Sequence, residues 1–303
     1  MRVGPVTLEL AERDGTVLED EPLSRHTTLK IGGPARRYCR VRTEEGLSLV
    51  VNAALRSGEP LALLGMGSNI LAADEGYAGW VIRLEGDFLA LRVDGDRLVA
   101  GGGAALGGAC AAAARAGLSG LESISGIPSS IGGAVRINAG AYGGEIFDVL
   151  ETVRLVGRDG ERRLARAADI PHGYRWTKLC DTGEIVAEAT LRLFQASREA
   201  IDERTRVVSE KRRGALPGEP NAGSIFKNPS GDYAGRLIEA CGLKGERRGG
   251  AAISTRHANV IVNTGGARAA DVLALMRLMR ESVREKFGVT LAAEVEFLGL
   301  TWE

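Results

Sequence analysis

The sequence has few residues that could hold a metal ion or form a disulfide framework. It contains four cysteines and three histidines in 303 residues. Cys39, Cys110, Cys180 and Cys241 lie far apart without a C-x-x-C pair, and the histidines form no H-E-x-x-H motif. We therefore expect no metal site, and we interpret the cysteines as buried or incidental thiols.

The sequence also lacks a charge imbalance and long apolar runs. Lys+Arg and Asp+Glu both number 39, so no overall field favours nucleic acid or an anionic membrane. No apolar run approaches the roughly 18 residues that a membrane-spanning helix needs. Residues 1–15 carry three acidic residues and lack the apolar segment of a secretory signal. We expect a cytoplasmic monomer without nucleic-acid or membrane partners.

Glycine, in contrast, is abundant. It accounts for 42 of 303 residues, about twice its average usage. Segments 65–69, 101–103 and 126–144 are rich in glycine and follow predicted strands or turns. Because glycine has no Cβ, such segments let main-chain N–H groups approach a phosphate closely.

The glycine patterns differ from the common nucleotide-binding motifs. Gly65-x-Gly67-x-x-Ile70 lacks the third glycine of the Rossmann fingerprint and is followed by predicted strands. Segment 126–133 has no lysine after its glycines, which excludes a Walker A loop. Any one segment could be only a tight turn, but the three together, with polar side chains nearby, indicate a bound diphosphate.

Hydrophobic periodicity predicts an α+β protein, because short strands follow one another without strict alternation with helices. Segment 126–144 is too rich in glycine to predict a regular element. Two prolines, Pro217 and Pro220, follow the charged helix and mark a domain boundary. The predicted strands are residues 35–41, 60–64, 81–84, 88–93, 98–100, 149–156, 185–194, 259–263 and 291–297. One predicted helix begins after Thr43, one begins near Leu106, and two span residues 197–213 and 233–241. A last, amphipathic helix carries apolar residues from Val272 to Phe287 and ends at Gly288.

Several segments resemble successive motifs of the UDP-N-acetylenolpyruvoylglucosamine reductase family, in the family's order from about residue 23 to residue 299. These segments are HTTLKIGGP (26–34), GMGSNIL (65–71), GLSGLE (117–122), GIP (126–128), GGA (132–134), NAGAYG (138–143), GYR (173–175), NAGSIFKNP (221–229), HAN (257–259) and EV (294–295).

The resemblance implies an FAD-binding fold of the vanillyl-alcohol-oxidase type in two subdomains, over residues 31–196. It follows an N-terminal segment, residues 1–30, and precedes an α+β substrate-binding domain, residues 197–303, whose last strand returns towards the flavin. FAD would be held non-covalently. NADPH would reduce it, leave, and be replaced by UDP-N-acetylglucosamine enolpyruvate, a precursor in peptidoglycan synthesis.

Three catalytic residues are implied by the resemblance. Hydride addition to the enolpyruvyl methylene leaves negative charge that needs a fixed cation and a proton donor. Arg175 matches the family's arginine, Ser224 its proton donor, and Glu294 the carboxyl group acting with the arginine on the enol. Each alone would be an ordinary surface or turn residue, so the hypothesis depends on their joint occurrence within matching motifs.

The same motifs imply ligand contacts. The predicted cofactor-binding residues are Gly65, Gly67, Ser68, Asn69, Ile70, Gly126, Pro128, Ser129, Gly132, Gly133, Ala134, Asn138 and Gly140. The predicted substrate-binding residues are Tyr174, Arg212, Asn221, Lys227 and Asn228. Arg212 has a competing interpretation as part of a solvated helix end.

The sequence departs from the family pattern at few positions. Ser129 replaces a glycine, which predicts a different backbone angle there, and Thr177 replaces a serine. The short separation of Arg175 and Ser224 resembles the family's shorter class, which lacks a tyrosine-bearing loop over the substrate. Two alternatives remain open, namely an oxidase on the same flavin fold and a flavin-binding regulator without turnover.

Overall fold

The structure is a computed structural model that describes residues 10–302. Residues 1–9 of the predicted N-terminal segment therefore lie outside the described residues. Two compact units emerge from the backbone contacts. Unit 1 comprises residues 10–19, 37–66 and 79–212, and unit 2 comprises residues 20–36, 67–78 and 213–302. The domain bounds given above stay predictions.

Helices and short strands alternate irregularly along the described residues. The α-helices are α1 (Glu44–Ser57), α2 (Leu106–Arg115), α3 (Ile131–Arg136), α4 (Lys178–Thr182), α5 (Arg198–Ala215), α6 (Ala234–Ala240) and α7 (Ala269–Phe287). The strands are β1 (Gly15–Pro22), β2 (Pro34–Val41), β3 (Leu61–Leu63), β4 (Ile70–Ala72), β5 (Tyr77–Leu84), β6 (Leu91–Asp94), β7 (Arg97–Gly101), β8 (Leu118–Ser119), β9 (Gly140–Ala141), β10 (Gly144–Glu145), β11 (Leu150–Val156), β12 (Arg162–Arg166), β13 (His172–Gly173), β14 (Trp176–Thr177), β15 (Ile185–Arg192), β16 (Phe194–Gln195), β17 (Asn221–Ser224), β18 (Arg247–Arg248), β19 (Ala251–Ile253), β20 (Val260–Asn263) and β21 (Glu296–Leu298).

Unit 1 is built around an antiparallel sheet of five strands in the order β12-β11-β15-β7-β6. Its central strand β15 is buried along most of its length, and helix α3 packs against it. Helix α1 packs Val50 and Val51 into a second core with Trp80 of β5. As predicted, α1 begins after its N-cap Thr43, whose hydroxyl accepts from the Gly46 amide, and ends at the left-handed Gly58.

Unit 2 contains an antiparallel sheet in the order β17-β20-β19-β18, covered by α6 and α7. Helix α7 presents an apolar stripe that includes Val272, Met276 and Met279, all fully buried. Strand β21 pairs in parallel with β4, so that Glu296 lies opposite Ile70. This pairing joins the glycine segment before β4 to the end of the chain.

Several local predictions were wrong. Phe88 lies in a 3₁₀ turn, Gly86–Leu89, and the strand begins only at Leu91. The predicted strand 291–297 is reduced to Glu296–Leu298, because burial at Leu291, Val295 and Leu298 does not alternate.

Segment 126–144 contains helix α3 although its composition predicts no regular element. Ser130 caps the helix by accepting from the Gly133 amide at 3.2 Å. Ile131, Ala134 and Val135 are buried in the core of unit 1. Tertiary burial therefore outweighs the cost of two helical glycines, about 1 kcal/mol each relative to alanine. Within residues 10–302, no helix is both long and apolar enough to cross a membrane.

Candidate functional site

Unit 1 contains a cavity of about 300 Å³ at which three glycine-containing segments meet. Gly65 and Met66 come from the segment after β3, Gly102 and Gly103 follow β7, and Ser130 precedes α3. The other lining residues are Arg40, Leu63, Leu64, Arg83, Leu84, Glu85 and Leu89. The cavity is thus lined by segments that are distant in the sequence.

Close approach explains why glycine occupies these positions. A Cβ on Gly65 would lie 2.7 Å from the Ser130 hydroxyl, and one on Gly103 would lie 2.6 Å from the Leu84 carbonyl. A Cβ on Gly132 would lie 2.9 Å from the Gly102 carbonyl. A side chain at any of the three would force the segments apart.

Some main-chain N–H groups of these segments are used within the protein, and others remain available to donate to a bound group. The Gly132 amide donates to the Gly102 carbonyl at 2.8 Å, and the Gly133 amide is used by the Ser130 cap. Within residues 10–302, the amides of Gly65 and Met66 donate to no other group of the chain. Those two amides on the cavity wall can therefore receive an anionic or polar cofactor group.

Charged side chains surround the same cavity. Arg83 donates to the Gly65 carbonyl at 2.9 Å, which fixes the orientation of that peptide. Arg40 pairs with Glu85 at 2.8 Å. Burial raises the pKa of the neighbouring Tyr38 phenol to about 12, although Arg83 opposes the shift. The phenol stays neutral at physiological pH.

Segment 126–129 lies against helix α5. Gly126 and Pro128 are exposed, and a Cβ on Gly126 would lie 2.7 Å from Cδ of Arg212. Burial lowers the pKa of the Arg212 guanidinium, which makes no ion pair with any described residue. Ser129 does not have a left-handed backbone, so the serine fits without strain.

Arg175 occupies the second position of a two-residue turn that joins β13 and β14. Its φ is 54°, a left-handed conformation that glycine or asparagine usually adopts. Its Nη2 donates to the Gly140 carbonyl at 2.6 Å, and its guanidinium carbon lies 5.2 Å from the centre of the exposed Tyr174 ring. A strained arginine held by a backbone acceptor is typical of a functional position.

Ser224 and Glu294 lie on adjacent segments of unit 2. Ser224 ends β17, directly after Gly223, whose φ is 73°. The Glu294 amide donates to the Ile225 carbonyl at 2.8 Å, and the Lys227 amide donates to the Ala292 carbonyl at 2.8 Å. Main-chain pairing thus brings the hydroxyl-bearing turn and the carboxyl-bearing segment together, with Lys227 beside them.

Asparagines brace this arrangement. Asn69 donates from its side chain to the Glu294 carbonyl at 3.0 Å, and its own carbonyl accepts from the Glu296 amide at 2.9 Å. Asn221 accepts from the Gly223 amide at 2.9 Å, and Asn228 accepts from the first amide of α6 at 3.0 Å. These predicted ligand-contacting residues therefore also shape the loop that carries Ser224.

The remaining predicted cofactor residues have varied surroundings. Gly67 is buried with a φ of 65°, and Ile70 lies in β4. Ser68 is half-buried. Ala134, Asn138 and Gly140 are buried. The Asn138 side chain forms hydrogen bonds with the Glu145 carboxylate, the Gly173 carbonyl and the Phe147 amide.

The sequence prediction did not name several site residues, including the cavity-lining Arg40 and Arg83 as well as Ser130 and Asn259. Ser130 lines the cavity and caps α3, and its signal was a serine just before an apolar helical turn. Asn259 is 2 % exposed, and its side chain accepts from the Phe226 amide at 3.0 Å and donates to the Phe226 carbonyl at 2.8 Å. The HAN motif contains Asn259, but the motif does not reveal its partner.

Comparisons with known proteins agree with this architecture. The family model of the FAD binding domain matches residues 35–165. The family model of the UDP-N-acetylenolpyruvoylglucosamine reductase C-terminal domain matches residues 216–298. The predicted combination of an FAD-binding fold with a C-terminal α+β domain is thereby confirmed.

Similar proteins span almost the whole chain. UDP-N-acetylenolpyruvoylglucosamine reductase 2 of Symbiobacterium thermophilum is 43% identical over 298 residues, covering 96% of this chain and 97% of its own. The reductase of Moorella thermoacetica is 43% identical over 284 residues, covering 93% of each. The crystal structure of the enzyme from Thermus caldophilus superposes with a TM-score of 0.81 at 41% identity, covering 94% of this chain and 98% of its own. The chain therefore belongs to the UDP-N-acetylenolpyruvoylglucosamine reductase family, whose members are flavin-dependent oxidoreductases.

Proposed function

We propose that this protein reduces UDP-N-acetylglucosamine enolpyruvate to UDP-N-acetylmuramate in the cytoplasm, with NADPH as the reductant and bound FAD as the cofactor. The observation that supports the proposal is the main-chain pairing of segment 225–227 with segment 292–295, which brings the segments that bear Ser224 and Glu294 next to each other. This pairing has a clear use in a reaction that adds a proton to a carbanion. It has no evident use in an oxidase.

The cavity of unit 1 fits part of the cofactor. The Gly65 and Met66 amides, with the Ser130 hydroxyl nearby, suit a diphosphate or a polar ring edge. The apolar wall formed by Leu63, Leu64 and Leu84 suits an aromatic group. FAD, when bound, supplies the hydride that the enolpyruvyl methylene carbon receives.

We assign Ser224 as the proton donor. Addition of hydride to the methylene carbon places an electron pair on the adjacent carbon, and a proton must reach that carbon to complete the lactyl ether. A hydroxyl is a weak acid, but a carbanion is a strong base, so transfer is favourable when the hydroxyl is held in place. Gly223 and the paired segment 292–295 supply that restraint.

Arg175 and Glu294 stabilise the enol form of the intermediate in this proposal. The guanidinium offers donors to the substrate carboxylate and to the developing enolate oxygen. Its hydrogen bond to Gly140 fixes part of the guanidinium plane before the substrate arrives. Arg212 and Lys227 are assigned to the diphosphate, because burial of Arg212 without an ionic partner favours an anionic ligand.

The test is NADPH oxidation, followed with and without UDP-N-acetylglucosamine enolpyruvate. We expect the purified protein to be yellow, NADPH to bleach it under anaerobic conditions, and the enolpyruvyl nucleotide to restore the colour. Arg175→Lys should lower kcat by about 100-fold or more, because lysine cannot reproduce the planar donor pair. Arg166→Lys is the matched control, since Arg166 is exposed and pairs only with Asp169 among the described residues.

Other outcomes would reject the proposal. Reoxidation chiefly by oxygen would indicate an oxidase. Unchanged rates in Arg175→Lys and Ser224→Ala, in a protein that binds FAD, would favour a regulator without turnover. A colourless protein that takes up no FAD would contradict both flavin interpretations.

A further inference from the structure

Two small hairpins of unit 1 are linked by side-chain hydrogen bonds. Strands β9 and β10 form the first hairpin, and β13 and β14 form the second. Arg175, in the turn of the second, donates to the Gly140 carbonyl of the first at 2.6 Å. Thr177 donates to the Arg136 carbonyl at 2.6 Å. The position of the Arg175 turn therefore depends on the segment from residue 136 to residue 147.

Asn138 lies at the centre of this link. Its Nδ2 donates to Glu145 Oε2 at 2.6 Å in the first hairpin and to the Gly173 carbonyl at 3.2 Å in the second. Its Oδ1 accepts from the Phe147 amide at 3.4 Å. Two acceptors face the nitrogen and a donor faces the oxygen, so the network defines the orientation of the amide.

The backbone of Asn138 is also specialised. Its φ is 47°, and asparagine tolerates this left-handed region better than other non-glycine residues. The residue is 0% exposed. Both N–H groups of its side chain are already engaged within the protein, so none remains to donate to a flavin.

We infer that Asn138 is a positioning residue for Arg175 and not a cofactor ligand. Its bond to the Gly173 carbonyl holds the residue that opens the Tyr174–Arg175 turn, while its bond to Glu145 anchors the same amide in the facing hairpin. Loss of this amide would let the turn shift and would move the guanidinium relative to Gly140. The inference rests on the proposed role of Arg175 in catalysis.

The test uses Asn138→Gly, which accepts a left-handed backbone but removes all three side-chain hydrogen bonds. We expect kcat to fall by about 10- to 100-fold, because small displacements of a catalytic group are costly. The dissociation constant of FAD should change by less than about twofold. In an Arg175→Lys background, the same substitution should lower kcat by less than about twofold, since the group that it positions is already altered.

Controls separate positioning from general loss of structure. Asn52→Ala, on α1 and outside both hairpins, should leave kcat and KM unchanged. Thermal unfolding of each variant checks that it folds. If Asn138→Gly does not fold, Asn138→Asp replaces it, because aspartate keeps the volume and tolerates the backbone but places a carboxylate opposite Glu145.

Three results would overturn the inference. One is weaker FAD binding in proportion to the loss of kcat, which would make Asn138 a cofactor contact. Another is a double variant whose fold-loss of kcat equals the product of the losses in Asn138→Gly and Arg175→Lys, which would show that Asn138 acts independently of Arg175. The third is unchanged turnover in Arg175→Lys alone, which would reject the proposed function together with the inference.

Discussion

Left-handed residues concentrate near the proposed catalytic arginine. Among the described residues, five non-glycine residues have φ between 47° and 60°, and three of them, Asn138, Tyr142 and Arg175, lie in or just before the two linked hairpins. Each such conformation costs of order 1 kcal/mol or more and persists only when its surroundings enforce it. The hydrogen bonds of Asn138 and Arg175 provide that enforcement.

The role of Ser224 can be tested by removing its hydroxyl alone. Ser224→Ala should lower kcat by about 100- to 10,000-fold, the usual range for loss of a general acid. Binding of FAD and thermal stability should change little, because the turn is held by main-chain bonds. The measurement is steady-state NADPH oxidation with the enolpyruvyl nucleotide.

A serine on α1 supplies the control for this substitution. Ser48 is partly exposed and accepts a hydrogen bond from Arg162. Ser48→Ala should leave turnover unchanged. Undiminished turnover in Ser224→Ala would exclude its hydroxyl as the proton donor.

At the scale of elements, helix α3 depends on glycine for its packing, whereas helix α2 does not. A Cβ on Gly132 would lie 2.9 Å from the Gly102 carbonyl and 3.3 Å from the Val186 carbonyl, neither of which can move freely. A Cβ on Gly107 in α2 would meet nothing within 4 Å. The same substitution should therefore have opposite effects in the two helices.

Gly132→Ala should destabilise unit 1 by about 1–3 kcal/mol through overpacking and should weaken FAD binding. Gly107→Ala should stabilise the protein by about 0.5–1 kcal/mol, because alanine favours the helix. Denaturant unfolding and FAD titration of both variants provide the measurement. Equal stability of the two variants would contradict the packing argument.

The helices and strands differ in how well the sequence alone predicts them. Helix α1 could be predicted, because Thr43, the apolar spacing and Gly58 all carry local signals. Helix α3 carried only the weak signal of its cap, Ser130, because its stability comes from burial of Ile131 and Val135 against residues distant in sequence. Strand β21 was predicted too long, since segment 291–295 pairs with the Ser224 loop and alternation is lost.

At the scale of the whole molecule, the formal charge is zero at neutral pH, so general charge repulsion is weak. In acid the carboxylates become protonated and the net charge turns positive, and carboxylates that are paired in the folded state also lose their stabilising contribution. Glu122 is 9% exposed and links α5 to the turn at residues 119–120. Burial would raise the pKa of Glu122, but hydrogen bonds from Ser119 and Gly120, with the charge of Arg204, outweigh burial and lower it.

A depressed carboxyl pKa stabilises the folded state above the unfolded pKa, about 4.3, and that contribution is lost as the pH falls through the folded pKa. Glu122→Gln should therefore lower the free energy of unfolding at pH 7 by about 1–3 kcal/mol. The difference from the parent protein should shrink as the pH falls below about 4. Urea unfolding between pH 3 and about 7 measures it.

The exposed residue Glu75 provides the control, and Glu75→Gln should change the free energy of unfolding at pH 7 by less than about 0.5 kcal/mol. If the free energy of unfolding of Glu122→Gln differed from that of the parent protein by the same amount at every pH, the ionised carboxylate would contribute nothing to stability. In that case only the shape of the side chain would matter.

The sequence by itself determined the family, the fold class and the identity of the candidate catalytic residues. Those conclusions depend on motifs such as NAGSIFKNP, whose residues are contiguous along the chain. Only the tertiary structure decided how single residues are used: that Gly132 serves close packing, that Asn69 supports Glu294, and that Asn138 holds the Arg175 turn. The physical reason is that a motif records which side chains are present, whereas hydrogen bonds and steric contacts between distant segments determine which of their atoms remain available to a ligand.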